Sequence, residues 1–270
     1  MIHLVSWNTG GCDWWNVCEQ HVDVVLLQEA RRPPSGAKFE MVPSIDTDWR
    51  TAGSARRNWC TAIAGPSGRV GLRPHPLADN YDPEPGVLLV SRAGTLCVAD
   101  VIRDGQVVLT VASMYAPWER ALRGSAIYAD ASAHRLLCDL SGLISTRRNH
   151  RIVAAGDLNI LRGYGEYGNP YWKHRYTTVF DRAEGMGLTC VGPQSPNGRQ
   201  AQPWPAELPQ DSVNVPTYHT KRQTPEAATR QLDFVFASES IAAHVSATAL
   251  NGVHEWGPSD HCRIAIAVSL

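Results

Sequence analysis

Eight polar side chains stand at the ends of apolar runs in this chain. They are Asn8 after HLVSW, Glu29 closing LLQE, Tyr115 closing VASMY, Asp157 and Asn159 after RIVAAG, Asp233 within QLDFVF, and Asp260 with His261 in GPSDH. On an extended chain, residues i and i+2 point the same way. Asp157 and Asn159 would therefore share one face at the C-terminal lip of a strand, where α/β proteins bind ligands. Taken alone, Gly-Asp-Leu-Asn also reads as an Asx turn, because Gly, Asp and Asn are common turn residues. A set of carboxylates, amides, a phenol and an imidazole bordering apolar strands is harder to explain by turns. An unpaired carboxylate in such surroundings carries a large desolvation penalty. A hard cation would relieve it, and carboxylate with amide oxygen suits Mg²⁺.

The elements that must position these groups are mostly strands. Alternation and β-branched residues predict strands over 3–7, 23–29, 86–91, 95–102, 106–114, 151–156, 232–237, 245–250 and 262–268. Asp104-Gly105 between two of these runs predicts a hairpin. Helices are expected over Trp14–Gln20, from Glu119 to about Ser145, over Thr178–Met186, and briefly near Ser238. In the longest of them, Ile127, Ala131, His134, Leu137 and Leu140 recur at helical spacing. Hairpin-joined strands with a few crossover helices indicate mixed sheets, and two sheets face to face with helices outside would use all the pieces. No linker or repeat divides residues 1–270, so one domain is expected. Residues 192–230 form a long irregular stretch, which marks a functional loop or a tolerated insertion.

Composition narrows the classes. Hydrophobic residues make up 43% of 270, enough for a full core, and the net charge of -1 excludes a general polyanion binder. The seven cysteines are scattered without a C-x-x-C pair, as expected of core thiols in a reducing compartment. The chain opens on a strand-like run, with no leader and no membrane-length apolar run, so a cytoplasmic protein is expected. There is no phosphate-binding G-x-x-x-x-G-K-[ST] loop and no G-x-S-x-G elbow, and His254-Glu255 lacks the second histidine of a zinc motif.

The ordered set SWNTGG, LLQE, MYAP, GDLN, LDFVF and SDH, spanning residues 6–261, resembles the endonuclease/exonuclease/phosphatase superfamily, the group of deoxyribonuclease I, exonuclease III and the inositol-phosphate phosphatases. The resemblance implies an α/β fold, a four-layer α-β-β-α sandwich of two mixed sheets flanked by helices. It implies Mg²⁺, with Mn²⁺ as the alternative, bound principally by Glu29, supported by Asn8 and approached by Asp260. It implies that Asp157 aims and deprotonates the attacking water, and that Asn159 holds that aspartate or the scissile phosphate. His261 would donate to a non-bridging phosphate oxygen, Asp233 would orient and charge His261, and Tyr115 would contact the phosphate or the leaving oxygen. The nucleases of this group often carry a polar residue two positions after the first asparagine. Here that position is Gly10, which favours a single metal.

Tyr115 before Ala-Pro resembles the exonuclease III branch, where phosphoinositide phosphatases and sphingomyelinases usually show Thr-His-Leu. SWNTGG resembles the same branch more than the deadenylases. The stretch GYGEYGNPYWKHRY, 163–176, interleaves aromatics with cations, which suits stacked bases or, equally, packing beneath a loop. Arg31-Arg32 and Arg56-Arg57 are either phosphate contacts or solvated loop residues. The expected activity is phosphodiester hydrolysis on DNA or another nucleic acid. The alternative is a phosphatase or phosphodiesterase for a small phosphorylated metabolite or nucleotide. No membrane or protein partner is indicated. A catalytically silent binding module would lack a catalytic group, and none is missing.

Overall fold

A computed structural model describes residues 1–16, 21–37, 39–53, 57–79, 84–120, 127–144 and 150–270. In chain order the strands are β1 (Ile2–Asn8), β2 (Val24–Ala30), β3 (Glu40–Val42), β4 (Cys60–Gly65), β5 (Gly71–Pro74), β6 (Leu77–Ala78), β7 (Leu88–Leu89), β8 (Leu96–Arg103), β9 (Gln106–Tyr115), β10 (Ile152–Asp157), β11 (Leu188–Gly192), β12 (Asp233–Ser238), β13 (Val245–Leu250) and β14 (Arg263–Val268). The α-helices are α1 (Ala129–Ile144), α2 (Pro170–Gly185) and α3 (Glu239–Ala242).

Two six-stranded mixed sheets result, ordered β13-β14-β1-β2-β4-β3 and β11-β12-β10-β9-β8-β5, with β6 and β7 paired separately. β1 runs parallel to β2, and β9 parallel to β10; the other pairs in the two large sheets are antiparallel. The sheets meet face to face. Ile2, Leu4, Leu26 and Ile264 of the first interdigitate with Val101, Val111, Val153 and Val235 of the second, all fully or almost fully buried. α1 and α2 cover the outer face of the second sheet, setting Leu136, Leu140 and Val179 on Val98, Ala112 and Phe236. Trp14, Trp49 and their neighbours cover the outer face of the first. The sandwich is stitched by polar contacts below the site. Gln28 Nε2 donates to Ser113 Oγ at 2.9 Å, and Ser113 Oγ donates to the Leu27 carbonyl at 2.7 Å.

The hairpin at Asp104-Gly105 forms, with both residues at positive φ (53° and 74°), as a type I′ turn requires. Other elements differ from expectation. α2 begins eight residues before the predicted start at Thr178, because Asn169 Oδ1 accepts the Tyr171 N–H at 2.9 Å and Pro170 occupies the first turn. α1 begins at Ala129, later than the predicted Glu119. Arg120 and Ile127 instead pair as an isolated bridge, and 121–126 and 145 lie outside the described residues. Trp14–Asn16 is a 3-10 turn, and the rest of that expected helix (17–20) lies outside them too. The strand predicted over 86–91 shrinks to Leu88–Leu89. β3, β4, β5, β6 and β11 are not among the strands expected from sequence.

Candidate active site

Each site residue sits where its strand ends. Asp157 is the last residue of β10, in register with Tyr115 on β9 and with Asp233, the first residue of β12. Asn8 closes β1 opposite Gln28 of β2. His261 lies two residues before β14, which pairs with β1. One end of the sandwich therefore collects residues from both sheets. Glu29 turns into it through an irregularity between β2 and β4, with φ at 48°. A non-glycine residue there is unusual and marks a constrained backbone. Asn159 has φ at 52° as well. Gly156 explains the glycine before Asp157: a Cβ there would lie 1.9 Å from the Met114 carbonyl oxygen.

Asp157, 1% exposed, is the hub. Asn8 Nδ2 and Asn159 Nδ2 each donate to Oδ2 at 2.9 Å, and the Asn159 backbone N–H donates to Oδ1 at 2.8 Å. His261 Nε2 lies 3.9 Å from Asp157 Oδ2, while Nδ1 is held by Asp233 Oδ2 at 2.8 Å. Thr217 Oγ1 donates to the same Asp233 oxygen at 2.7 Å. Ser259 Oγ donates to the Asn8 carbonyl at 2.7 Å and accepts the His261 N–H at 3.1 Å, fastening the last strand to the first. Burial alone would lower the imidazole, but the carboxylates of Asp233 and Asp157 outweigh it and push His261 up. Burial raises Asp157; the His261 charge opposes this, and Asp233 and Glu29 reinforce it. Burial, then the charges of Glu29 and Asp157, lift the Tyr115 phenol far above its usual range. Tyr115 is thus a standing donor.

These groups line a cavity of about 230 Å³, with Asn8, Glu29, Tyr115, Asp157, Asn159, Asp260 and His261 all on its wall. Every residue expected from sequence is brought to this one place, Asp233 from behind His261. Asp157, Asp233 and His261 present ligand-type atoms within 4.8 Å of one another. Because Nδ1 and Asp233 already satisfy each other, that trio is a charge pair rather than a metal cage. The other oxygen donors on the wall are Glu29, Asp260 and the Asn8 amide oxygen, which also accepts the Gly10 N–H at 2.9 Å; all are hard oxygen, the set a Mg²⁺-type cation takes. They share this wall with the buried Asp157, whose carboxyl is pushed up by burial and by the charges of Asp233 and Glu29, so hard oxygen donors and gathered negative charge suit a divalent cation there. Gly10 leaves room for this arrangement. A Cβ at Gly10 would meet Asp260 Oδ1 at 2.9 Å, so Asp260 stands where a side chain at position 10 would reach.

Several lining or supporting residues were not singled out from sequence. Lys221 and Tyr218 come from the 192–230 loop, and the Tyr218 ring packs 4.9 Å from the His261 ring. Thr217 and Ser259 act only through tertiary hydrogen bonds. Trp118 also lines the cavity. Of the paired arginines, Arg57 reaches the cavity and Arg56 lies outside the described residues. Arg31 and Arg32 are exposed and absent from its wall. The 163–176 stretch divides. Tyr164 and Tyr176 are buried, Trp172 stacks on Tyr176 at 5.9 Å, and Arg175 is bound to Asp130 at 2.6 Å. Those residues are packing, while Tyr167 and Tyr171 remain exposed. The six cysteines among the described residues are free thiols. No helix among the described residues is long and apolar enough to cross a membrane.

Solved structures with the same fold include the endonuclease domain of TRAS1, a telomere-specific non-LTR retrotransposon (12% identity, TM-score 0.63, covering 100% of this chain and 99% of that one). An AP endonuclease from Archaeoglobus fulgidus and a 3'-5' exonuclease (NExo) from Neisseria meningitidis each share 15% identity at a TM-score of 0.61, covering 100% of both chains. No curated protein matches in sequence. With its strand-end motifs converging on one cavity and a family model matching residues 5–261, the chain belongs to the Endonuclease/Exonuclease/phosphatase family, a family of phosphate-ester hydrolases.

Proposed function

We propose that this protein is a metal-dependent phosphodiesterase that cleaves DNA or another nucleic acid by in-line attack of water. The observation that carries the reading is the Asp157 carboxylate, held by three donors from Asn8 and Asn159 and set 3.9 Å from His261 Nε2. A water seated between these groups meets a base on one side and a donor to phosphate on the other. Glu29, Asn8 and Asp260 would hold Mg²⁺, or Mn²⁺. When bound, the ion neutralises phosphate charge and steadies the leaving oxygen. Asp157 aims the water and takes its proton as the oxygen attacks phosphorus. His261, kept cationic by Asp233, donates to a non-bridging oxygen. Asn159 fixes the Asp157 carboxylate, and Tyr115 donates to the phosphate or the departing ester oxygen. Arg57 and Lys221 add positive charge where the diester enters.

The near-neutral charge, -1, favours a second reading: a small phosphate ester or nucleotide as substrate. A panel of plasmid, single-stranded DNA, abasic duplex, RNA, nucleotides and bis-p-nitrophenyl phosphate with Mg²⁺ separates the two. We expect turnover on a nucleic acid that disappears in EDTA and returns with Mg²⁺ or Mn²⁺. Turnover undiminished after metal removal would sink the metal assignment, and activity confined to monoesters would favour the small-substrate reading.

A further inference from the structure

The candidate catalytic cavity, about 230 Å³, is walled by the polar and charged groups described above. Beside it lies a second cavity of about 1020 Å³, which shares Trp118, Asn159 and Tyr218 with the first. That size is typical of a pocket for an organic ligand, roughly 300–1,000 Å³. Its walls include two large aromatic side chains left open, Trp118 at 51% and Tyr167 at 89% exposure. Tyr167 is not a stray surface residue. Its backbone sits at φ 53°, within a turn closed by Gly168 N–H to the Gly165 carbonyl at 3.1 Å. Arg230 lies over its ring at 5.9 Å, and Arg230 is itself fixed by Glu166 at 2.9 Å. The turn and the ion pair hold an apolar ring out into solvent at the mouth of a cavity, an arrangement that burial energetics alone would not produce. The floor is firm, because Trp172 stacks on Tyr176 and both pack against the core with Leu232.

The charge of this cavity is also informative. Among the described residues its one guanidinium, that of Arg230, is paired with Glu166, so no unpaired arginine awaits a second phosphate. Thr220, Gln223 and Thr229 supply neutral hydrogen-bonding groups on the lining. Aromatic faces with a neutral polar edge match a planar heterocycle, whereas a bare sugar offers the rings no π-face. Building on the phosphodiesterase reading, we propose that this cavity receives the intact base of the nucleotide flanking the scissile phosphate. The protein's substrate is then base-bearing at that position rather than abasic, with Tyr167 and Trp118 as its stacking residues.

The test is equilibrium binding of two probes to the Asp157→Asn protein, read by tryptophan fluorescence and calorimetry: deoxyadenosine monophosphate (3′ and 5′ isomers) and 2-deoxyribose 5-phosphate. We expect the nucleotide to bind roughly 5- to 150-fold more tightly, the range set by stacking one base on one ring. Tyr167→Ala and Trp118→Ala, both at exposed positions and so compatible with folding, should shrink that margin. Equal affinities for the two probes, or a margin that survives both substitutions, would overturn the proposal. Hydrolysis by the wild-type protein is measured separately. A protein that cleaves no phosphate ester would remove the catalytic reading, while the binding margin would still decide the cavity.

Discussion

At the scale of single residues, Asp157 carries the most consequence. It is buried, it receives hydrogen bonds at both oxygens, and it faces the one imidazole of the cavity. Asp157→Asn keeps an oxygen for the two asparagine donors but turns an N–H toward the Asn159 backbone N–H. We expect that conflict to cost about 1–3 kcal/mol in stability, measurable by denaturant titration, while turnover falls roughly 10²–10⁴-fold. A folded variant with near wild-type turnover would remove Asp157 from the chemistry. Why Asp157 was readable from sequence, and Thr217 was not, has a physical basis. A carboxylate closing an apolar strand is conspicuous because burial penalises it. Thr217 matters through hydrogen bonds to the Asp233 carboxylate and from the Leu232 and Asp233 N–H groups, fifteen and sixteen residues away, and nothing local sets it apart from other loop threonines. Lys221 was hidden for the same reason.

At the scale of elements, β10 is threaded past β9 at a distance only glycine permits. A methyl at Gly156 would lie 1.9 Å from the Met114 carbonyl oxygen, and φ there is 155°. Gly156→Ala should therefore destabilise the fold by about 3 kcal/mol, the upper end of what overpacking usually costs, seen as a lowered unfolding midpoint. Full stability in that variant would mean β9 and β10 can part without consequence. The strands carrying Asn8, Glu29, Tyr115, Asp157 and Asp233 were legible because β-branched residues and alternation run through them. β4 was not, since Cys-Thr-Ala-Ile-Ala-Gly is small-residue rich, and its place in the sheet comes from pairing with β2. The start of α2 was missed because Asn-Pro reads as turn punctuation, yet Asn169 caps and Pro170 begins a helix.

At the scale of the whole molecule, the second sheet holds a charged cluster on β8 as well as the end that carries the candidate site. Asp100 is almost fully buried and is bound by Arg73 at 2.8 Å, His75 at 3.0 Å and Thr110 at 2.7 Å. Burial alone would raise its carboxyl, but the hydrogen bonds from His75, Arg73 and Thr110 prevail and hold it well below the usual carboxylate range. A depressed folded value means the ionised form stabilises the native state above the unfolded value near 3.9, and this contribution is lost as pH falls through the folded value. Asp100→Asn should thus lower the melting temperature more at pH 7 than at pH 3, with a loss of about 2 kcal/mol at neutral pH. Melting curves taken across that range check it, and parallel curves would show that the cluster does not couple folding to protons.

The placement of β1 between β14 and β2 has a temporal consequence. The first strand of the chain waits for the last to close its free edge, and Ser259 and His261 fasten onto Asn8 and Trp7 only when residues near 260 exist. At ordinary elongation rates that interval is on the order of ten seconds or more. Contacts so distant in the chain also make for slow folding. The candidate cavity therefore cannot assemble on a nascent chain until residues near 260 have been made, and it closes only when β14 docks against β1.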